Sequence, residues 1–220
     1  MFNSEFKQRI MNLSPAFLVD ARSRLKLTES HLDSGIRPVV PFTSMIGTAV
    51  TVELELAKDE GTADLTLLVE AYEAQDKPGS IMVIQIPLSL HEYGIFGEGA
   101  ANLAQKGGFV GVLVEGAVRD TVDLRRLEFP AFSRTVAPGY IMGKVRVASI
   151  GKAVRIGGRV IKQADVIVAD NDGVMVIPPD ELEDVVAKAE AIKEWEHRVH
   201  QLFLDGVSSR DIRRLAGAMP

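Results

Sequence analysis

The chain contains no cysteine. That excludes disulfides, thiolate nucleophiles and cysteine-bound zinc, and it predicts a reducing compartment. No apolar run approaches the ~18 residues that a membrane span needs. The start, Met1-Phe2-Asn3-Ser4-Glu5-Phe6-Lys7, lacks a basic segment followed by an apolar one, so the expectation is a soluble, cytoplasmic protein. A basic surplus is also missing: 25 Lys and Arg face 30 Asp and Glu, a net charge of −5. This argues against nucleic acid as the main partner, without excluding a local positive pocket for a small anion. Repeats, low-complexity tracts and domain linkers are absent too. What remains is ordinary globular material, 220 residues of which 46% are hydrophobic, enough for one large domain or a compact domain with a helical appendage.

The pattern alternates between strand-like and helix-like segments. Ser14-Pro15 before Ala16-Phe17-Leu18-Val19-Asp20-Ala21 gives a capping serine and a first-turn proline, so a short helix is predicted. Strands are predicted over 47–54, 81–86, 130–134, 144–150, 153–156, 159–161, 165–170 and 174–177, with Gly157-Gly158 and Asn171-Asp172-Gly173 as hairpin turns. A helix is expected from Asp64 to Ala74, with Leu65, Leu68, Val69 and Tyr72 on one face, and another from Phe96 to Lys106. Pro178-Pro179-Asp180 opens the longest helix, whose apolar face runs Leu182, Val185, Val186, Ala189, Ile192, Trp195 and Val199. Ser208-Ser209 caps a last short one.

Three motifs lead nowhere. Asp170-Asn171-Asp172-Gly173 hints at a calcium loop, but its glycine comes too early and no glutamate follows at the required offset. Glycines 97, 99, 107, 108 and 111 lack the spacing and strand-first order of a dinucleotide fingerprint. His197 and His200 have no carboxylate in a zincin arrangement.

The most informative stretch is an apolar run, Phe109-Val110-Gly111-Val112-Leu113-Val114, followed by Glu115-Gly116-Ala117-Val118-Arg119-Asp120. It reads as a buried strand ending in a glycine turn. Arg119 has the fork to clamp a carboxylate and Asp120 the hard oxygens to hold a cation. Taken alone, such a dipeptide is more often a surface ion pair capping the next turn. The second feature is Phe96-Gly97-Glu98-Gly99-Ala100-Ala101-Asn102. A helix starting there presents unpaired amides to an anion; the plainer reading is a tight turn with Glu98 complementing the helix dipole. Gly99 and Arg119 are 20 residues apart, one helix plus one strand, which puts the helix N-terminus and the strand C-terminus at the same end of the unit.

These segments together, with Ser14, Asp20-Ala21, Gly47-Thr48-Ala49-Val50-Thr51-Val52, Pro78-Gly79 and Asp170-Asn171-Asp172-Gly173-Val174, resemble the RraA-like family. It comprises 4-hydroxy-4-methyl-2-oxoglutarate and 4-carboxy-4-hydroxy-2-oxoadipate aldolases and the regulator of ribonuclease activity A. The resemblance spans roughly residues 12 to 200. It implies an α/β fold, a layered β/β/α swivelling-type domain with mixed sheets and a long C-terminal helix. One domain over 1–220 is expected, with its core at about 12–178 and a helical extension over about 180–220. A homotrimer or hexamer is implied, with the site near a subunit interface.

By the same resemblance, the amides of Gly97, Glu98, Gly99 and Ala100 bind the substrate carboxylate, Arg119 meets the substrate oxygens and Asp120 ligates Mg²⁺ or Mn²⁺. Glu194 of a neighbouring subunit, or else Glu196, completes the metal's water shell. Glu98 and Glu194 steer the base that takes the 4-hydroxyl proton. The implied activity is a metal-dependent pyruvate aldolase with an oxaloacetate decarboxylase side activity, acting on a small 2-oxo acid. Glu98 stands where these aldolases often carry aspartate, and Gly99-Ala100 replaces bulkier residues, so a differently shaped pocket is expected. The alternative is a non-catalytic protein inhibitor of an RNA-processing ribonuclease; the aspartate after the arginine favours an enzyme. A different 2-oxo or hydroxy acid transformation on the same metal platform is the third possibility.

Overall fold

The computed structural model describes residues 3–73 and 78–220. In chain order they form helices α1 (Ser4–Ile10) and α2 (Pro15–Arg24), strands β1 (Arg37–Pro38) and β2 (Met45–Leu56), helix α3 (Thr66–Glu73), strands β3 (Ser80–Gln85) and β4 (Tyr93–Phe96), helix α4 (Glu98–Lys106), strand β5 (Gly111–Val118) and helix α5 (Thr121–Arg126). Strands β6 (Ala131–Val136), β7 (Gly139–Tyr140), β8 (Val145–Ile150), β9 (Val154–Ile156), β10 (Arg159–Ile161), β11 (Val166–Asp170) and β12 (Gly173–Ile177) follow. Helices α6 (Leu182–Leu204) and α7 (Ser209–Ala216) close the chain.

The main sheet runs β1-β6-β5-β3-β2-β11-β12. Its centre, β2, β3, β5 and β6, is parallel, with Val52 opposite Ile84 and Ile84 opposite Val114. β1, β11 and β12 add antiparallel flanks. The long strands β2 and β5 each serve two sets of neighbours: β8 pairs with the C-terminal half of β2, and β4 with the end of β5.

Both faces of the central strands are covered, which is why β3 and β5 read as unbroken apolar runs rather than alternating ones. Met82, Ile84, Val112 and Val114 point to a cluster shared with Leu68 and Tyr72 of α3, Ala101 and Ala104 of α4 and Leu124 of α5. Ile81, Val83 and Leu113 point the opposite way, onto Val154, Ile156 and Ile161 of the β9–β10 hairpin. The period of two along a strand sorts them. A third cluster packs α1, α2 and α6 against β11 and β12 through Leu18, Val168, Ile177, Val185 and Val186. Each fully buried side chain of this size contributes roughly 1.5–3 kcal/mol. The molecule is thus the expected layered β/β/α arrangement with a mixed sheet and a long C-terminal helix.

Ser14 caps α2 by accepting from the Phe17 amide at 3.5 Å, as its sequence predicts. Four expectations need correction. The strand expected to end at a glycine turn instead continues through a bulge to Val118. Gly116 sits there at φ +158°, where an added Cβ would overlap Ile86, so the glycine marks a close approach within the strand rather than a turn. α3 starts two residues after Asp64, whose carboxylate accepts from the Thr66 amide at 2.8 Å; the expected end at Ala74 lies outside the described residues. Val69 of α3 is exposed, because the helix buries the stripe of Leu68 and Tyr72 instead. α6 begins at Leu182, after a turn in which the Glu181 amide bonds to the Pro178 carbonyl. It outruns the core beyond Ile192, and Trp195 turns to α7, donating to the Ala216 and Gly217 carbonyls.

Candidate functional site

Parallel pairing of β4 with β5, and the turn into α4, put three chain segments at one end of the sheet. The Arg119 amide donates to the Phe96 carbonyl at 2.8 Å, so β5 ends directly beside the start of α4. Asp120 follows in the left-handed region, φ +54° and ψ +41°. An L-residue pays roughly 1–2 kcal/mol for that conformation, aspartate less than most. The twist has a consequence. Asp120 takes the N-cap position of α5, its carbonyl accepting from the Asp123 and Leu124 amides, yet its side chain makes no capping bond there. The carboxylate swings back instead to α4, where Oδ2 accepts from the Glu98 amide at 3.2 Å and stands 3.5 Å from Arg119 Nε.

Gly97 makes this approach feasible, since a Cβ at that position would overlap Asp120 Oδ2. Gly99 faces open space. The amides of Gly99 and Ala100 have no intrahelical acceptor by position; the first to bond back is Ala101, to the Gly97 carbonyl at 3.0 Å. The result is a cavity of about 170 Å³. Gly97, Gly99 and Ala100 form one wall, Arg119 and Asp120 the second, and Gly94, Ile95, Tyr140, Ile141 and Met142 the third. The Arg119 guanidinium lies 5.9 Å from the centroid of the Tyr140 ring, a cation–π distance that steadies its long side chain. Arg119 and Asp120 are 37% and 36% exposed, so both remain open to a ligand.

Glu98 is placed differently from its neighbours. Its carboxylate turns away from the cavity and pairs with Arg126 of α5 at 2.7 Å, which also holds Asp123 at 3.1 Å. Glu194 lies on α6, exposed, 3.9 Å from Arg198 and beside a groove formed with α1. Glu196 is exposed on the same helix. Within one chain neither borders the Arg119–Asp120 cavity. Among the described residues there is no group of three or more His, Asp or Glu that would enclose a metal. The chain therefore supplies one hard carboxylate beside an open cavity, a donor set that suits a cation keeping most of its water, as Mg²⁺ does.

Sequence reasoning missed the third wall. β4 and β7 are four and two residues long, too short to leave a periodic signal, and Tyr140 reaches Arg119 only because β7 pairs with β4.

Comparison with known proteins gives concordant findings. A family model described as RraA-like, Aldolase/RraA, matches residues 16–176. An uncharacterized protein of Methanocaldococcus jannaschii is 30% identical over 184 residues, covering 83% of this chain and 84% of its own. A protein of Halalkalibacterium halodurans named "Putative 4-hydroxy-4-methyl-2-oxoglutarate aldolase" is 33% identical over 162 residues, 73% of this chain and 72% of its own. Among solved structures, a Streptomyces coelicolor protein described as an unusual member of the RNase ES inhibitor RraA family superposes with a TM-score of 0.78. It shares 24% identity and covers 90% of this chain and 97% of its own, a likeness of fold.

Proposed function

The chain belongs to the RraA-like family, and from that premise we propose that it is a divalent-metal-dependent lyase that cleaves a 4-hydroxy-2-oxo acid to pyruvate and a second carbonyl compound. The observation that carries this reading is the convergence of Arg119, Asp120 and the α4 N-terminus on one cavity. The Arg119–Asp120 pair standing open beside that cavity favours an enzyme over a non-catalytic binding protein.

Arg119 binds the carboxylate and 2-oxo oxygens of the substrate, its guanidinium fork matching two oxygens at once. The Gly99 and Ala100 amides, at the positive end of α4, add neutral donors to the same carboxylate. As the C3–C4 bond breaks, negative charge gathers on the 2-oxo oxygen, and Arg119 is already in place to stabilise it. Asp120 would hold a divalent cation such as Mg²⁺ or Mn²⁺, which when bound would supply Lewis-acid stabilisation of the same charge. Gly97 keeps the Asp120 carboxylate seated at the helix start.

Loss of the 4-hydroxyl proton needs a base. We assign its steering to two carboxylates outside the single-chain cavity: Glu98, after exchanging its pair with Arg126, and Glu194, brought by a neighbouring copy in a trimer or hexamer. Decarboxylation of oxaloacetate develops the same charge on the same oxygen and is the expected side activity. No helix of the described residues is long and apolar enough to cross a membrane.

The test is pyruvate release from oxaloacetate and from 4-hydroxy-4-methyl-2-oxoglutarate, with Mg²⁺ and with EDTA, beside Asp120→Ala. Turnover that disappears with EDTA and with the substitution supports the reading. No pyruvate from either acid, nor from related 4-hydroxy-2-oxo acids, sinks it and moves the weight to a protein that binds an RNA-processing enzyme.

A further inference from the structure

The cavity has one cationic side chain and one anionic one, Arg119 and Asp120, and the proposed reaction uses both at the reacting end of the substrate. Beyond them the wall is apolar: Ile95 and Ile141 are buried, and Tyr140 and Met142 stand half-open at 63% and 49% exposure. The nearby cations are otherwise engaged. Arg126 is held by Glu98 and Asp123, and Lys144 Nζ lies 5.0 Å over the Tyr93 ring, outside the cavity lining.

A substrate with a carboxylate at each end would fix one on Arg119 and the α4 amides and push the other against Ile141, Tyr140 and Met142. A carboxylate pressed onto that half-open wall gives up part of its water without gaining a partner, which is disfavoured. A methyl group or a short hydrocarbon tail gains from the same contact. Resting on the lyase reading above, we propose that the preferred substrate is a 4-hydroxy-2-oxo monocarboxylic acid. Its part beyond C4 is apolar and leaves as a simple ketone or aldehyde. The wall formed by Tyr140, Ile141 and Met142 sets that preference.

The step is balanced without any further reactant. The 4-hydroxyl gives up its proton and C4 becomes the carbonyl of the departing ketone. The C3–C4 electron pair passes to the pyruvate enolate, and C3 then takes a proton to yield pyruvate.

A matched pair of acids tests it. 4-Hydroxy-4-methyl-2-oxopentanoate and 4-hydroxy-4-methyl-2-oxoglutarate share the reacting end and differ only in a methyl or a carboxylate at C5. Cleavage in Mg²⁺ is measured for both as pyruvate released, one per pentanoate and two per glutarate turned over, with the native protein and with Met142→Arg. The substitution is on a half-exposed side chain, so it leaves the buried Ile141 and the fold in place, and circular dichroism checks this.

The expected result is a kcat/KM at least about tenfold higher for the pentanoate, the scale on which an apolar pocket discriminates. Met142→Arg is expected to narrow or invert the ratio, by raising the rate with the glutarate more than it lowers the other. Equal rates, or a native preference for the glutarate, overturn the proposal while leaving the lyase reading intact. Pyruvate from neither acid overturns this proposal, and with none from oxaloacetate either it overturns the lyase reading too, so the two failures are told apart.

Discussion

Strand β5 carries one arginine–carboxylate pair along its length, shared with β6, and leads into a second of opposite character. Arg134 of β6 pairs with Glu115 of β5 and, at 3.0 Å, with Asp33. The same Glu115 accepts from the Gly157 amide at 2.6 Å, which ties the β9–β10 hairpin to the main sheet. These side chains are 29% and 15% exposed. Just past the end of β5, four and five residues after Glu115, Arg119 and Asp120 stand 3.5 Å apart and are more than a third exposed. The first pair is saturated by protein partners and clamps two layers. The second, whose one side-chain hydrogen bond among the described residues runs from the Glu98 amide to Asp120, keeps most of its capacity open beside a cavity. The same residue types become structure or site according to how many of their bonds the fold has already used.

The comparison is tested most severely at Asp120. Asp120→Asn keeps the shape and the tolerance for a left-handed backbone but removes the charge. We expect pyruvate release to fall about 10²–10³-fold, the scale of losing a group aimed at transition-state charge. The melting temperature should stay within a degree or two. A large loss of stability with retained turnover would reverse the roles assigned to the two pairs.

Arg134→Met should do the opposite. It leaves Glu115 without its charge partner between β5 and the hairpin, at a cost of about 1–3 kcal/mol, the range for a partly buried group that loses its partner. Urea denaturation measures this, and kcat at a temperature where the variant is folded should change less than twofold. Gly97→Ala comes next. The added methyl displaces Asp120 Oδ2 from the start of α4, and we expect roughly a tenfold loss of kcat/KM with stability changed by less than about 1 kcal/mol.

A smaller effect comes from acid. The hydrogen bond from Arg134 holds the Asp33 carboxyl below its usual range. A carboxyl whose folded pKa is depressed contributes stability that is complete above its unfolded pKa, near 4, and is lost as pH falls through the folded value. Asp33 is half-exposed, so less than about 1 kcal/mol is at stake. Melting curves from pH 6 to pH 3 should fall less steeply in Asp33→Asn than in the native protein. Equal slopes would remove Asp33 from the clamp.

How much of this was legible in the chain depends on length and pairing. β2, β11 and β12 are long or bounded by turn residues, and their β-branched runs gave them away. Four-residue β4 and six-residue α5 are held by neighbours rather than by their own pattern, so neither had a signal to read. Gly116 was misread because a glycine after an apolar run is as good a turn signal as a bulge signal. Only the Ile86 side chain packed against it decides. At the site, Gly97, Gly99, Arg119 and Asp120 come from one helix-and-strand unit, and chain connectivity alone puts them at the same end. Tyr140 and Met142 reach the cavity through the β4–β7 pairing, which no local pattern encodes. The turn of Glu98 toward Arg126 belongs to the same class of fact: it depends on α5, an element with no sequence signal of its own.

Below the site lies a third environment, buried and unpaired. Tyr72 of α3 packs edge-on against Phe96 at 5.9 Å, and Phe96 stacks on Phe129 at 5.5 Å. This aromatic floor carries the carbonyl that receives the Arg119 amide. The Tyr72 hydroxyl is fully buried with no hydrogen-bond partner among the described residues, and burial pushes its pKa up. A buried hydroxyl without a partner costs more than the hydrogen atom that would replace it. Tyr72→Phe should therefore raise stability, by about 0.5–1 kcal/mol, and leave pyruvate release unchanged, because the ring and the floor it supports stay where they are. Thermal melts and the pyruvate assay on the one variant read both. A loss of stability would mean that the hydroxyl is bonded after all. A loss of turnover without a loss of stability would make Tyr72 a positioning residue for Arg119, acting through Phe96, and would extend the site into the core.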